Sequence, residues 1–189
     1  MKRSSFIALG ILLLGLLAGG IALSAHPSYT VYALFSSARD HDYHRFSSYA
    51  NVDDIAQNAM ELAFNERMRD MKRRFGRNTP SEQRFLEIYM TQNKPILKND
   101  LKFSLKHQIE TDEFYPDHAP ANLWQTFRRC ELTKNQHVAT IYLAPGPSSE
   151  LPPLRIRLRR VRMHWQAFEL MLDIEKAEHA KSDAGKKNI

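Results

Sequence analysis

The residues with the clearest capacity for chemistry are arginines that alternate with aliphatic residues from Leu154 to Arg159. Successive side chains of a β-strand point to opposite faces, so these arginines would share one cationic face. A second basic run ends a predicted helix, where cations favour the negative end of the helix dipole. Each cation near an anionic surface contributes about 1 kcal/mol, so both clusters are candidate contacts with anionic lipid or an acidic wall polymer. A solvated surface is the alternative. The candidate residues are Arg155, Arg157, Arg159, Arg73 and Arg74.

Titratable residues between His107 and His137 indicate a second chemistry, general acid or base catalysis. Such catalysis needs a titratable group that faces a sheltered cavity, and the sequence does not show which way these side chains face. Packed or solvated structural histidines are the alternative interpretation. We therefore assign no catalytic residue. The candidates are His107, Asp112, Tyr115, Asp117, His118 and His137.

Four potential metal ligands, Asp40, His41, Asp42 and His44, lie within five successive positions. A helical i, i+3 pair such as His41 and His44 can share a metal ion. Adjacent residues point in different directions on a helix, however, and the two aspartates suit helix-ending and capping roles. We predict no metal site from this cluster.

Composition excludes several functional classes. Only three glycines follow residue 24, too few and too scattered for a glycine-rich phosphate or dinucleotide loop. Neither H-E-x-x-H nor G-x-S-x-G occurs. Cys130 is the single cysteine, which excludes an intrachain disulfide and a Cys-rich metal site. The net charge of +6 is mild for a nucleic-acid binder. We predict no cofactor and no nucleic-acid partner.

The first 24 residues predict a membrane segment. Lys2 and Arg3 precede a stretch from Phe6 to Leu23 without a charged or strongly polar side chain. As a helix this stretch rises about 27 Å, close to the hydrocarbon thickness of a bilayer. We expect a retained single-pass anchor, with the N-terminus in the cytoplasm by the positive-inside rule and the domain outside. The alternative is a cleaved signal peptide ending at Ala22-Leu23-Ser24, which would make the domain secreted.

Residues 25 to 75 predict three helices. A brief amphipathic helix lies around Val31–Phe35, and a second short helix follows around Tyr43–Tyr49. Asn51 or Asp53 can cap the third helix by accepting backbone N–H bonds. From Val52 to Phe75, apolar residues recur every three or four positions, so we expect one buried stripe along a long helix.

A fourth helical region follows. Gly76 can end the third helix, and Thr79 can cap the next one with Pro80 at its first position. Pro95 interrupts this helix or starts another, and the apolar spacing continues as far as Glu110. We expect the apolar residues of its first half to face inward. They are Phe85, Leu86, Tyr89 and Met90.

The last third predicts a sheet, because β-branched, aromatic and alternating residues replace the helical spacing. The fold class is therefore α+β, with several helices packed on a C-terminal antiparallel sheet of about four strands. We expect an anchor over residues 1–24, one domain over 25–175 and a polar, disordered tail over 176–189. The predicted strands are Leu123–Leu132, His137–Ala144, Leu154–Met163 and Trp165–Leu172.

The opening of the domain carries a family resemblance. The run Pro27-Ser28-Tyr29-Thr30-Val31-Tyr32, followed by Ala38-Arg39-Asp40-His41-Asp42 and Val52-Asp53-Asp54-Ile55, resembles bacterial membrane-anchored envelope proteins of domain-of-unknown-function family twenty-nine thirty-nine. The closing Arg157, Leu158 and Trp165 resemble that family's last hairpin. The resemblance implies topology and location, with a cone-shaped cystatin-like or nuclear-transport-factor-like fold, and it transfers no catalytic residue.

Two classes of function follow from these patterns. The first is a non-catalytic binding or interaction domain presented outside the cytoplasmic membrane, with anionic lipid or an envelope protein as its partner. The second is a small enzyme or ligand carrier that uses the cavity such cone folds commonly enclose.

Overall fold

The computed structural model describes Gly20 and residues 25–75, 80–162 and 164–173. The predicted anchor apart from Gly20, the predicted stop at Gly76 and cap at Thr79, and the polar tail lie outside the described residues. Within the described residues, no helix is long and apolar enough to cross a membrane.

The described chain is an α+β domain, as predicted, with helices first and strands last. The helices are α1 (Pro27–Arg39), α2 (Tyr43–Tyr49), α3 (Val52–Phe75), α4 (Pro80–Glu110) and α5 (Leu123–Arg129), with a 3₁₀ turn at Pro116–His118 before α5. The strands are β1 (Cys130–Lys134), β2 (Val138–Leu143), β3 (Leu154–Val161) and β4 (His164–Leu172). They form one antiparallel sheet in the order β1-β2-β3-β4.

Side-chain caps determine where the early helices begin. The Asp42 carboxylate accepts a hydrogen bond from Arg45 N at 2.8 Å at the start of α2. The Asn51 side chain accepts one from Asp54 N at 3.1 Å at the start of α3. Each cap satisfies a backbone N–H group that has no partner within the helix. Of the two predicted caps for the long helix, Asn51 is therefore the one used.

The inner face of the sheet and α1 form the core. The register pairs Ile141 with Ile156 and Ala139 with Leu158, so aliphatic side chains of the two central strands lie side by side. Aromatic and aliphatic side chains from the helices close over them. The buried members of this layer include Val31, Leu34, Phe46, Ile109, Phe114 and Trp165.

The helices α3 and α4 form a long antiparallel hairpin. Lys94 of α4 lies 3.8 Å from Glu61 of α3, and Lys98 lies 3.1 Å from Asp53. The helix α4 continues through Pro95 without a break, so the predicted interruption there is wrong. A proline costs one backbone hydrogen bond inside a helix, and the rest of α4 is long enough to tolerate that loss.

Two predictions about which faces of this hairpin are buried are wrong. Phe85 is 67% exposed and Tyr89 is 50% exposed, although both were expected to face inward. On α3 the buried stripe ends at Met60, since Ala63 is exposed. The side chains of Leu86 and Met90 lie outside the described set. The outer half of the hairpin extends past the sheet, so apolar spacing alone could not tell which side would meet a neighbour.

The first predicted strand is also wrong, because Leu123–Arg129 forms helix α5 and only Cys130–Lys134 is extended. The Asn122 side chain caps α5 by accepting a hydrogen bond from Gln125 N at 2.9 Å. Thr126, which favours strands intrinsically, is buried and donates its hydroxyl to Asn122 O at 3.1 Å. This local bonding overrides the β-branched and aromatic composition.

Candidate functional site

Arg155, Arg157 and Arg159 of β3 lie on the outer face of the sheet, as predicted, opposite the buried Leu154, Ile156 and Leu158. Each of the three also has an acidic partner. Arg155 Nη2 lies 3.1 Å from Glu169 Oε1, and Arg157 Nη1 lies 3.0 Å from Glu169 Oε2. Arg159 Nη1 lies 2.8 Å from Asp54 Oδ2 on α3. The cationic face is thus paired with acids of the same domain.

A β-bulge in β4 places Glu169 among the arginines. The register shifts so that Arg157 pairs with Glu169 while Leu158 pairs with Ala167. Phe168 is the extra residue, and the guanidinium carbon of Arg157 lies 5.1 Å from the centre of its ring. A bulge opposes two residues to one and so changes which side chains share a face. This non-local register is the reason the sequence could not predict the acidic partner.

The five arginines proposed from the sequence do not form one site. Arg73 is exposed near the C-terminal end of α3, and the side chain of Arg74 lies outside the described set. Nineteen helical residues separate Arg73 from Asp54, which corresponds to about 28 Å at 1.5 Å per residue. The two clusters therefore occupy opposite ends of α3, and their contact with an anionic surface stays a prediction.

A groove of about 510 Å³ lies between α3 and β4, with Arg155 and Glu169 in its wall. A smaller hollow of about 130 Å³ lies between α3 and α4, lined by Ala59 and Leu105. Tyr115 borders both. The Nε atom of Arg155 is buried and makes no hydrogen bond, while the Arg155 side chain as a whole is 31% exposed.

In the described structure, Tyr115 and His118 are the only two catalytic candidates whose rings are in contact. Their ring centres lie 6.2 Å apart. Tyr115 takes a left-handed conformation with φ 43° and ψ 56°, and burial raises the pKa of its hydroxyl. Its phenol therefore stays protonated near neutral pH.

His118 is a buried, neutral side chain. Its Nε2 lies 2.9 Å from Pro152 O, and because a carbonyl only accepts, Nε2 carries the proton. Its Nδ1 is buried and without a partner. Burial lowers the pKa of His118. His118 is 1% exposed and lines a hollow of about 240 Å³ with Tyr115 and Asp117. Its bond to Pro152 O joins the 3₁₀ turn to the loop before β3.

The other catalytic candidates are exposed, and Asp117 lines the same hollow as Tyr115 and His118. His107 lies near the end of α4, Asp112 and Asp117 lie in the following loop, and His137 lies before β2. The described structure gives no sheltered cavity that these four side chains share. General acid or base catalysis therefore has no assembled group among them.

The potential metal ligands near Asp40 have other roles. Asp40 pairs with Arg45 at 3.2 Å, and Asp42 caps α2. His41 Nδ1 lies 3.2 Å from Ile109 O. Across the described ranges, no group of three His, Cys, Asp or Glu side chains is placed to hold a metal ion.

The most prominent surface feature is an apolar stripe on α4, formed by Phe85, Tyr89, Ile96 and Phe103. These side chains are 67%, 50%, 60% and 73% exposed. At about 100° per residue they fall within an arc of about 40°, and they extend over about 27 Å. The apolar spacing of these residues is visible in the sequence, but the prediction that positions 85 and 89 face the core is wrong.

The stripe faces away from α3. Lys94 and Lys98, which pair with acids of α3, lie about 160° around α4 from the centre of the stripe by the same geometry. One face of α4 is thus used within the hairpin, and the opposite apolar face meets no element of the described domain. Contiguous exposed apolar surface of this kind marks interaction sites in soluble domains.

Comparison of the chain with protein-family models, with curated proteins and with solved structures finds no match. The resemblance to the envelope family and to cystatin-like folds therefore remains a prediction, and the functional argument depends on the geometry of the domain itself.

Proposed function

We propose that this chain is a non-catalytic interaction domain, held at the outer side of the cytoplasmic membrane by its N-terminal apolar segment. The apolar stripe of α4 is its binding surface. The single observation that carries this proposal is the exposure of four large apolar side chains on the face of α4 that points away from α3.

The arrangement suits recognition by helix insertion into a groove. In that mode, apolar side chains at spacings of three, four and seven residues enter the groove of a partner, as positions 85, 89, 96 and 103 allow. Burial of one Phe side chain contributes about 1.5–3 kcal/mol relative to its exposure. The partner is therefore an envelope protein with an elongated apolar groove.

The filled core supports a binding role over an enclosed ligand cavity. Ile141, Ile156 and Leu158 on the inner face of the sheet are fully buried, packed against helical side chains such as Val31 and Ile109. The described domain thus uses the inner face of its sheet for packing, where a cone-fold enzyme or carrier would place its cavity.

The test is co-purification of the full chain from detergent-solubilised membranes. The variant replaces Phe85, Tyr89 and Ile96 by Ser, and the matched control replaces the neighbouring exposed polar residues Gln92 and Asn99 by Ser. We expect the stripe variant to lose its partner while the control keeps it. Equal recovery of the partner with both variants would exclude the stripe as the binding surface.

Self-association is distinguished in the same preparation. Light scattering after gel filtration in detergent gives the oligomeric state of the wild-type chain and both variants. A wild-type dimer that the stripe variant converts to a monomer would identify a second copy as the occupant of the stripe. A monomer in all three preparations, with partner loss in the stripe variant, supports a different envelope protein.

A second candidate function is a small-ligand carrier that uses the α3–β4 groove. The observation that favours it is the Arg155 guanidinium, on a side chain that is 31% exposed, in the wall of a groove of about 510 Å³. A ligand with a carboxylate would pair with this guanidinium. Thermal shift of the full chain with a panel of small carboxylates tests it, and an Arg155→Lys variant should lose any stabilisation found.

A further inference from the structure

The point where the chain enters the domain is held rigidly at the sheet. Ala25 O accepts a hydrogen bond of 2.9 Å from the indole Nε1 of Trp165, and Trp165 is 1% exposed. The next residue, His26, packs its ring against Phe127 at 5.1 Å. A buried indole and an aromatic contact thus fix the position of Ala25 at the beginning of β4.

Both tight turns on this side of the sheet lie at the same edge as Trp165, which holds Ala25. In an antiparallel meander, the end of β1 and the start of β2 lie at the same edge as the end of β3 and the start of β4. Arg160 N donates to His137 O at 2.9 Å, which joins the two turns. Lys134 Nζ lies 5.7 Å from the ring centre of Trp165. We call residues 25–26, 134–138 and 159–162 the tether end.

The tether end is basic. Between Thr133 and Ala139, and between Arg159 and Gln166, the sequence contains no Asp or Glu. Arg159 pairs with Asp54. Three further cations, together with His137, are exposed there. They are Lys134, Arg160 and Arg162.

The elements packed around this end add no opposing charge. The first turn of α1 contains no acidic residue, and neither does α5, whose last turn contains Arg128 and Arg129. Near the start of α3, Asp53 pairs with Lys98 and Lys102, and Asp54 with Arg159. The positive charge of Lys134 also contributes, after burial, to the lowered pKa of His26.

The distance to the bilayer follows from the proposed function, on which this inference rests. If Phe6–Leu23 spans the membrane, one residue, Ser24, separates it from the fixed Ala25. Two residue steps reach at most about 7 Å. The tether end must then lie within the headgroup layer, which is several ångströms thick on each side of the hydrocarbon core.

We propose that the tether end binds anionic lipid headgroups directly, through Lys134, Arg160 and Arg162. The acid-paired Arg155, Arg157 and Arg159, and the cations of the outer end of α3, do not take part. The helix α3 begins beside β4 near this end, since Asn51 N donates to Ala167 O at 2.7 Å and Asn58 Nδ2 to Phe168 O at 2.8 Å. Farther along, residues of α3 between Asn58 and Glu66 line a groove with Leu170, Met171 and Leu172 of β4. The helix α3 thus advances toward the end of β4, so the α3–α4 hairpin and its apolar stripe extend away from the bilayer.

The experiment uses the full chain reconstituted in phosphatidylcholine bilayers with trace spin-labelled phosphatidylglycerol or spin-labelled phosphatidylcholine. The electron paramagnetic resonance spectra give the relative association of the two lipids with the protein. Because each cation near the surface favours anionic lipid by about fivefold, we expect a clear preference for phosphatidylglycerol. The preference should fall to about one in a variant with Lys134→Gln, Arg160→Gln and Arg162→Gln.

A matched control removes the same charge at the other end of α3, with Arg67→Gln, Arg69→Gln and Arg73→Gln, all exposed positions. This control should keep the preference of the wild-type chain. A preference lost equally in both variants would show an effect of net charge, and a preference kept in both would show that these cations do not contact lipid. Either outcome overturns the inference.

Failure of the membrane tether can be distinguished from failure of the lipid contact. Alkaline carbonate extraction and intact mass are measured on the same protein before reconstitution. Extraction of the chain from the membrane by carbonate, or a measured mass that corresponds to a chain beginning near Ala25, would overturn both the tether and the lipid contact. A full-length, carbonate-resistant chain without lipid preference overturns the lipid contact alone.

Discussion

Replacement of Glu169 by Gln tests whether the arginines of β3 are structural. The Glu169 side chain is 14% exposed and joins two arginines, with N–O distances of 3.1 and 3.0 Å. Gln keeps the size of the side chain but removes the charge. Breaking an exposed ion pair costs up to about 1 kcal/mol, and breaking a buried one about 3–5 kcal/mol. Arg155 and Arg157 are 31% and 40% exposed, so solvent screens the pairs in part and we expect a loss of about 2 kcal/mol.

The assay is thermal unfolding of the full chain in one detergent, followed by near-ultraviolet circular dichroism. For a domain of this size, 1 kcal/mol corresponds to about 2–4 °C, so Tm should fall by about 4–8 °C. The control is Glu110→Gln, which removes the exposed pair with Lys106 at 3.6 Å and should lower Tm by no more than about 2 °C. An equal decrease in Tm for both variants would refute the reasoning. The arginines would then be unpaired in solution and available to an anionic surface.

Three further predictions concern buried groups and α4. Burial lowers the pKa of His118 below its usual 6.5. As pH drops from 7 to 5, His118 therefore takes up a proton more readily in the unfolded chain than in the folded one. The free energy of unfolding should fall over this range. His118→Gln should flatten this dependence in melts at several pH values and leave the contribution of His26, whose pKa is also lowered. An unchanged slope would contradict the assignment. Burial raises the pKa of the Cys130 thiol to about 12, so iodoacetamide at pH 8 should label Cys130 in guanidinium but not in the native chain, as mass spectrometry will show. Pro95→Ala restores an N–H group inside α4 and should raise Tm through a gain of about 1–3 kcal/mol; a lower Tm would mean that α4 depends on a bend at Pro95.

The order and bounds of most elements were predictable because their causes are local. Caps such as Asn51, a proline at the first helical position such as Pro80, and the apolar spacing from Val52 onward involve residues a few positions apart. The helix α3 accordingly covers Val52–Phe75 as predicted, and α4 ends at Glu110 as predicted. The alternation along β3 likewise predicted which side chains are buried, since the period of two is a property of a single strand.

The errors arose where one local pattern admits two structures. The stretch from Leu123 to Arg129 has strand-like composition, yet the Asn122 cap and the buried hydroxyl of Thr126 make it a helix. The apolar spacing in α4 showed that one face of the helix is apolar. It did not show that this face of the outer half lies beyond the sheet, where no element of the described domain covers it.

The sequence by itself thus determined the α+β class, the starts of α3 and α4 and the alternation along β3, because hydrogen bonds and side-chain periods within one segment decide them. Tertiary structure decided the pairing of Arg157 with Glu169, which depends on a bulge in β4. It also placed Ala25 among the basic turns through the indole of Trp165, 140 positions away. Such contacts depend on strand register and on the path of the chain. Neither is encoded by the residues nearby in sequence.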